Sequence, residues 1–210
     1  MAIRAVVFDI GGVLEITPDP QMRGMVTRWE ALAGMETGEM EKRLERTAHL
    51  WKAGALGHCT EADIERGLRD LAGFTEEQTS DFMAHMWREY LGTLNVELTD
   101  YFRGLRPRYR TGIISNSFVG AREREQELYR FHEIADPIIY SHEVGIAKPD
   151  PRIYELTCER MGVQPGEMIF LDDAEACING AQAVGIHGIL FRDNAQAIAD
   201  IEACLLANAS

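Results

Sequence analysis

The first predicted strand of this chain runs directly into a carboxylate, and two glycines follow shortly after it. Residues 6–14 read Val-Val-Phe-Asp-Ile-Gly-Gly-Val-Leu, with Asp9 at the end of the apolar run. A continuous apolar run is typical of a buried parallel strand, and open α/β sheets bind their ligands at the carboxyl ends of such strands. The segment therefore predicts that Asp9 is a nucleophile or a metal ligand.

Four further apolar runs resemble strands. The first run covers residues 3–8, and the four further runs lie at 111–115, 137–140, 168–172 and 188–191. All five are almost continuously apolar, as expected of strands that are covered on both faces. Helical stretches separate the later runs, and this alternation is typical of parallel strands joined by right-handed crossovers. We therefore predict an α/β fold with a Rossmann-like, doubly wound parallel sheet.

The long interval between the first two strands predicts a separate helical domain. It shows almost purely helical patterns. Thr60 and Thr75 each begin a capping-box pattern, in which a hydroxyl and a side chain three residues later close the first helical turn. We predict an all-helical cap domain of about four helices over residues 17–97, inserted into a core of residues 1–16 and 98–210.

The composition limits the partners of the chain. Its 210 residues carry 34 acidic and 21 basic side chains, which gives a formal net charge of -13. Phosphate backbones and anionic membrane surfaces attract basic proteins, so we expect neither nucleic acid nor a membrane as a partner. A small phosphate ester remains compatible with the acidic charge, because a divalent metal can neutralise a binding site locally.

The cysteines and the apolar runs bear on the cellular compartment. None of the four cysteines has the Cys-x-x-Cys spacing of a redox or zinc motif. No stretch approaches the roughly 18 apolar residues of a transmembrane helix, and Asp9 interrupts the N-terminal apolar run too early for a signal peptide. We expect reduced thiols and a cytoplasmic protein.

Polar residues end or follow four of the predicted strands. Asp9 follows the first, the Ser-Asn-Ser segment 115–117 ends the second, Lys148 follows the third, and Asp172 and Asp173 end the fourth. In a doubly wound sheet these carboxyl ends converge on one crevice. A carboxylate, a hydroxyl, an ammonium and an acidic pair that meet there favour phosphoryl transfer.

The charges suggest a role for each group. A phosphoryl group in transfer spreads negative charge over its oxygens, which Lys148 and the Ser115 hydroxyl can stabilise. Asp9 would be repelled by a phosphate unless a metal lies between them, and Mg²⁺ prefers oxygen ligands. Asp9 and Asp173 fit that need, with Asp172 as a direct or outer ligand. Attack by Asp9 would form an aspartyl-phosphate that water then hydrolyses.

The order of these motifs resembles that of the haloacid dehalogenase superfamily of phosphatases. It is similar to the subfamily whose cap follows the first motif, and the resemblance covers nearly the whole chain. The four motifs lie at residues 8–14, 114–117, 148–154 and 169–173, the last followed by Gly180. Each motif is weak alone, but the four in this order are highly specific.

The resemblance implies a role for each motif residue. Asp9 would be the nucleophile, with Ser115 and Lys148 as further catalytic residues. Phosphate would be held by the polar residues after the second and third strands, namely Ser115, Asn116 and Lys148. Mg²⁺ would be held by the acidic groups and one backbone carbonyl, namely Asp9, Gly11, Asp172 and Asp173.

Position 11 departs from the pattern of the family. Its phosphatases usually carry a second Asp there, which protonates the leaving group and activates water, and such groups contribute about 10²–10⁴-fold to rate. Gly11 keeps only the carbonyl. Three explanations are open: Glu15, Asp19 or a cap residue replaces the acid; the enzyme is slow or restricted to good leaving groups; or the chain binds phosphate without hydrolysing it.

The dehalogenases of the superfamily also lack the second Asp. They act without metal, and their fourth motif resembles Ser-Ser-Asn, whereas this chain keeps Asp172 and Asp173. The acidic pair favours the metal-dependent reaction. We therefore expect a Mg²⁺-dependent phosphatase for small phosphorylated metabolites such as sugar phosphates, and the sequence leaves open whether the chain forms a homodimer.

Overall fold

Seven strands, eleven α-helices and two short 3-10 helices make up the fold, which a computed structural model describes over residues 1–17 and 23–209. The strands are β1 (Ala5–Phe8), β2 (Glu15–Ile16), β3 (Thr93–Leu94), β4 (Arg110–Ser115), β5 (Ile138–Tyr140), β6 (Met168–Asp172) and β7 (His187–Leu190). The helices are α1 (Arg23–Ala33), α2 (Glu39–Glu45), α3 (Ala48–Ala55), α4 (Glu61–Asp70), α5 (Glu76–Leu91), α6 (Val96–Leu105), α7 (Ala121–Tyr129), α8 (Ser141–Val144), α9 (Pro151–Met161), α10 (Glu175–Ala183) and α11 (Asn194–Ala207).

Five parallel strands form the central sheet in the order β5-β4-β1-β6-β7. From β1 the chain moves outward through β4 and β5, then returns to the other side of β1 with β6 and β7. The strand order therefore reverses at β1, and ligands of open α/β sheets bind at such a reversal. The predicted doubly wound fold is confirmed, and the ends of the five predicted strands differ from those observed by no more than two residues.

Both faces of the sheet are covered, which explains the continuous apolar runs. Val6 and Phe8 point into one cluster with α6 and α11, where Phe8 stacks on Phe102 at a centroid distance of 4.2 Å. Val7 points into the opposite cluster, with α9 and α10. Burial on both faces fixes the register of β1 and so fixes where Asp9 lies.

Helices α1 to α5 form an insert between β2 and β3, and their apolar side chains pack into a cluster that also includes Phe118 and Ala121. Both predicted capping boxes are present, at Thr60 with Asp63 and at Thr75 with Gln78. The described residues of the insert contain five helices rather than about four. The additional helix reflects the short α2 and α3, which are separated by only two residues.

A two-stranded antiparallel ribbon joins the insert to the core. Glu15 pairs with Leu94 and Ile16 with Thr93, and the Asn95 side chain donates to the Val13 carbonyl at 2.9 Å. The sequence did not reveal this ribbon, because strands of two residues are too short to show a period. The predicted boundaries of the cap fall beside it and remain a prediction.

The insert is seated on the carboxyl edge of the sheet. Trp87 of α5 stacks on Phe118, which follows β4, at 4.5 Å. Arg124 of α7 lies 4.0 Å over the Trp87 ring and bonds to Glu61 of α4 at 2.9 and 3.0 Å. The insert therefore closes over the edge at which the predicted site residues lie.

Two further expectations concern the cysteines and membranes. The four cysteines are free thiols. Within residues 1–17 and 23–209, no helix is both long and apolar enough to cross a bilayer.

Candidate active site

A buried ammonium group lies at the centre of the site. Lys148 Nζ contacts Asp9 Oδ1 at 2.8 Å and Asp172 Oδ2 at 2.6 Å, and it donates to the Ile114 carbonyl at 3.1 Å. Its side chain is 1% exposed. Burial opposes the charge, but Asp9 and Asp172 outweigh it and the pKa of Lys148 is raised. The three protons of the ammonium thus have three acceptors, and the lysine stays charged.

Local structure places Lys148 before any substrate arrives. The Asn116 side chain accepts from the Lys148 amide at 2.8 Å and donates to its carbonyl at 2.9 Å. The following helix, α9, begins at Pro151, with Asp150 as its N-cap and Gly162 as its C-cap. This arrangement gives Asn116 a positioning role for Lys148, while its predicted contact with phosphate remains a prediction.

Three carboxylates crowd around this ammonium. Asp9, Asp172 and Asp173 each present an oxygen within 4.8 Å of the other two. Burial raises the pKa of Asp9 to about 7, with Lys148 lowering it and Asp172 raising it. Burial and then Asp172 raise the pKa of Asp173 as well. One ammonium does not balance three carboxylates, and such a set of oxygen donors fits a hard divalent cation such as Mg²⁺.

Gly12 is needed for this crowding. A Cβ atom built there would lie 2.2 Å from Asp173 Oδ2, and its φ of +77° disfavours any other residue. A Cβ at Gly11, by contrast, meets nothing within 4 Å. Sequence reasoning singled out Gly11 but not Gly12, because only the fold brings Asp173 against the first loop.

A cavity of about 370 Å³ opens above the buried groups. Its wall combines the first loop, the ends of β4 and β6, the ribbon and helix α5, and includes Gly11, Gly12, Glu15, Tyr90, Ser115, Asn116 and Asp173. The structure thus brings Asp9, Lys148 and Asp172 into contact and places the other predicted site residues in the wall beside them. The volume suits a small molecule.

A second pair of acidic residues, Glu15 in this wall and Glu125, is buried. Glu15 is 2% exposed, and its Oε1 has no hydrogen-bond partner among the described residues. Burial, then Glu125 and Asp9, raise its pKa to about 10. Glu125 of α7 accepts from the Tyr140 hydroxyl at 2.6 Å. Its pKa is raised to about 7 by burial, although hydrogen bonds from Tyr140 and Tyr90 lower it. Glu15 is therefore a neutral carboxyl at neutral pH.

The two predicted substitutes for the missing acid have different outcomes. Glu15 lies in the wall of the cavity. Asp19 lies outside the residues that the structure describes. Glu125 was not foreseen, because nothing in the helical pattern of α7 distinguishes it from its acidic neighbours on the solvated face.

Comparison with known proteins identifies the family. A sequence model described as haloacid dehalogenase-like hydrolase matches residues 3–185. The chain belongs to this family. The match covers the helical insert and four of the five strands of the sheet, so the predicted resemblance to these hydrolases is confirmed.

Relatives of this hydrolase include two proteins of similar length. D-ribitol-5-phosphate phosphatase of Bacteroides thetaiotaomicron is 23% identical over 87% of this chain and 89% of its own. Phosphatase MT3486 of Mycobacterium tuberculosis is 28% identical over 90% of this chain and 88% of its own. The mouse acyl-CoA dehydrogenase family member 10 is 29% identical over 96% of this chain, which spans only 19% of the length of that protein.

A solved structure shares the fold. A haloacid dehalogenase-family enzyme of Bacteroides thetaiotaomicron, in complex with magnesium and inorganic phosphate, superposes with a TM-score of 0.77. The two are 21% identical, and the match covers 94% of this chain and 99% of that one. At this identity the likeness concerns the fold.

The buried acidic pair makes stability depend on pH. The folded-state pKa of Glu125, about 7, lies above the ordinary value of 4.5. The folded protein therefore holds a proton that the unfolded chain releases, so the free energy of unfolding falls as pH rises between these values. This carboxyl accounts for at most about 3 kcal/mol of the fall.

Glu125→Gln removes this carboxyl, so we expect its stability to fall less than that of the wild type over that interval. Urea unfolding at pH 5, 6, 7 and 8 measures the difference, with the exposed Glu127→Gln as the matched control. Parallel profiles for Glu125→Gln and the wild type would contradict the burial of an ionisable group at position 125.

Proposed function

We propose that this hydrolase is a Mg²⁺-dependent phosphatase of small phosphomonoesters, with Asp9 as the nucleophile. One observation carries the proposal: buried Lys148 joins Asp9 to Asp172 beneath a cavity that Ser115 and Asp173 line. The names of two relatives support it, since both are phosphatases and one acts on a sugar-alcohol phosphate. The related structure with magnesium and phosphate supports the same assignment.

The acidic groups would hold the metal. Asp9, Asp172 and Asp173 would supply carboxylate oxygens, and Gly11, in the cavity wall, would supply its carbonyl oxygen. When bound, Mg²⁺ neutralises charge between the nucleophile and the phosphoester. The pair Asp172 and Asp173 disfavours the metal-independent dehalogenase reaction.

The chain's own residues account for the two displacements. An Asp9 carboxylate oxygen attacks phosphorus, the ester P–O bond breaks, and its electron pair leaves with the ester oxygen. The Ser115 hydroxyl donates to the phosphoryl oxygens, where negative charge accumulates, and the positive charge of Lys148 stabilises that negative charge from beneath the cavity. Water then attacks phosphorus, the bond to Asp9 breaks, and inorganic phosphate leaves.

Gly11 has no side chain to protonate the leaving oxygen. A general acid contributes about 10²–10⁴-fold, so the proposal favours esters with good leaving groups, such as anomeric sugar phosphates. Glu15 remains the described candidate for a substitute acid, because it lies in the cavity wall.

An activity panel tests the proposal. Purified protein is assayed for phosphate release from sugar, sugar-alcohol and aryl phosphates, with Mg²⁺ and with chelator. We expect release that requires Mg²⁺ and is lowered at least about 10³-fold by Asp9→Asn, because the nucleophile is lost. The exposed Asp81→Asn in α5 is the matched control and should retain full activity.

Two results would replace the proposal. Phosphate that binds without turnover of any ester would indicate a non-catalytic phosphate-binding protein. Halide release from 2-haloacids that chelator does not inhibit would indicate a dehalogenase.

The contact between Gly12 and Asp173 provides a separate test of the metal site. Gly12→Ala places a methyl group where Asp173 Oδ2 lies, so we expect Mg²⁺ affinity, measured by calorimetry, to fall by about tenfold or more. Gly73→Ala is a matched control, because Gly73 has a φ of +75° but a Cβ there meets nothing within 4 Å. It carries the same backbone strain without the clash. Equal Mg²⁺ affinities in the two variants would contradict a metal site at Asp173.

A further inference from the structure

A larger depression lies at the opposite edge of the sheet from Asp9. Its volume is about 650 Å³, and it lies at the amino ends of β1 and β4. Five arginines line it, namely Arg4, Arg106, Arg108, Arg110 and Arg160. We call this depression the basic cavity.

The charge of the basic cavity is opposite to that of the chain. The chain carries 34 acidic and 21 basic side chains, and five of those 21 line this one depression. The acidic residue in its lining is Asp136, and Glu167 pairs with Arg4 at 3.4 Å. Five guanidinium groups thus face two carboxylates, which leaves a local excess of positive charge.

Neutral groups hold three of these arginines in place. Arg110 donates to the Met161 carbonyl and Arg106 to the Glu133 carbonyl. The Arg108 guanidinium lies 5.5 Å from the centre of the Tyr109 ring. Carbonyls and a ring orient the side chains without cancelling their charge, and each guanidinium has five N–H donors, so further donors remain for a ligand.

Helix ends account for only part of this charge. Arg106 is the C-cap of α6, and Arg160 lies in the last turn of α9, where cations balance the helix dipole. Arg4, Arg108 and Arg110 lie outside the helices of the structure. The cavity therefore holds more positive charge than its two helix ends require.

We propose that the basic cavity binds a small anion with two or more linked phosphoryl groups. Guanidinium forks match phosphate oxygens, and clustered guanidinium groups favour an anion that spans several of them. The cavity is also larger than the one beside Asp9, at about 650 against 370 Å³.

The basic cavity is distinct from the catalytic site. Arg110 begins β4 and Ser115 ends it, so the two sites lie roughly 17 Å apart along this strand at 3.3 Å per residue. The lining of the basic cavity contains none of the three site carboxylates, Asp9, Asp172 and Asp173. Binding there requires neither Mg²⁺ nor Asp9 chemistry, so the proposal stands independently of the phosphatase assignment.

Calorimetric titration with tripolyphosphate in the presence of chelator tests the proposal. We expect one ion per chain, with an affinity that weakens as salt rises. Arg108→Gln combined with Arg160→Gln should lower this affinity at least about tenfold, because two charge-assisted contacts are lost. Arg69→Gln combined with Arg88→Gln removes the same charge from α4 and α5 and should leave it unchanged.

Several results would overturn the proposal. These are no binding by the wild type, equal affinities in the two double variants, or inorganic phosphate binding as tightly as tripolyphosphate. Thermal unfolding establishes that each variant is folded. If the first double variant does not fold, Arg108→Gln and Arg160→Gln are titrated singly. An affinity for tripolyphosphate that is unchanged in both single variants would also overturn the proposal.

Discussion

The site depends on one buried cation held between two carboxylates. Lys148 is almost completely enclosed, and a charge in such a place is costly unless it is paired and hydrogen-bonded. Asp9, Asp172 and the Ile114 carbonyl satisfy it. The same contacts orient Asp9, the proposed nucleophile, and removing either carboxylate would leave the buried ammonium with one charged partner in place of two. The contacts of Lys148 Nζ therefore contribute both to the stability of the fold and to the geometry of the site.

The fold brings these groups together from separate strands. Parallel strands deliver Asp9 and Asp172 to one edge, and the Asn116 side chain fixes the backbone of Lys148 beside them. The insert then closes the cavity, with Tyr90 in its wall and the ribbon at its side. In this hydrolase the sheet thus holds the proposed reacting groups, while the insert shapes the cavity beside them.

The sequence predicted what local patterns encode. Continuous apolar runs located all five strands of the sheet, and the capping box at Thr75 located the start of α5. The sequence did not reveal contacts that exist only after folding. These are the contact with Asp173 that requires glycine at position 12, and the proximity of Glu125 that helps to raise the pKa of Glu15. The basic cavity was missed for the same reason, since only the fold brings Arg4 and Arg160 beside the three arginines of residues 106–110. The two-residue strands of the ribbon are too short for any period.

Chemical trapping of the intermediate tests the central claim most directly. Borohydride reduces an acyl phosphate to an alcohol, so enzyme quenched during turnover and then reduced should contain homoserine in place of aspartate at the modified position. Peptide mass spectrometry should find homoserine at Asp9, and only when both a phosphate ester and Mg²⁺ are present. Turnover without homoserine at this position, or with homoserine at another aspartate, would contradict Asp9 as the nucleophile.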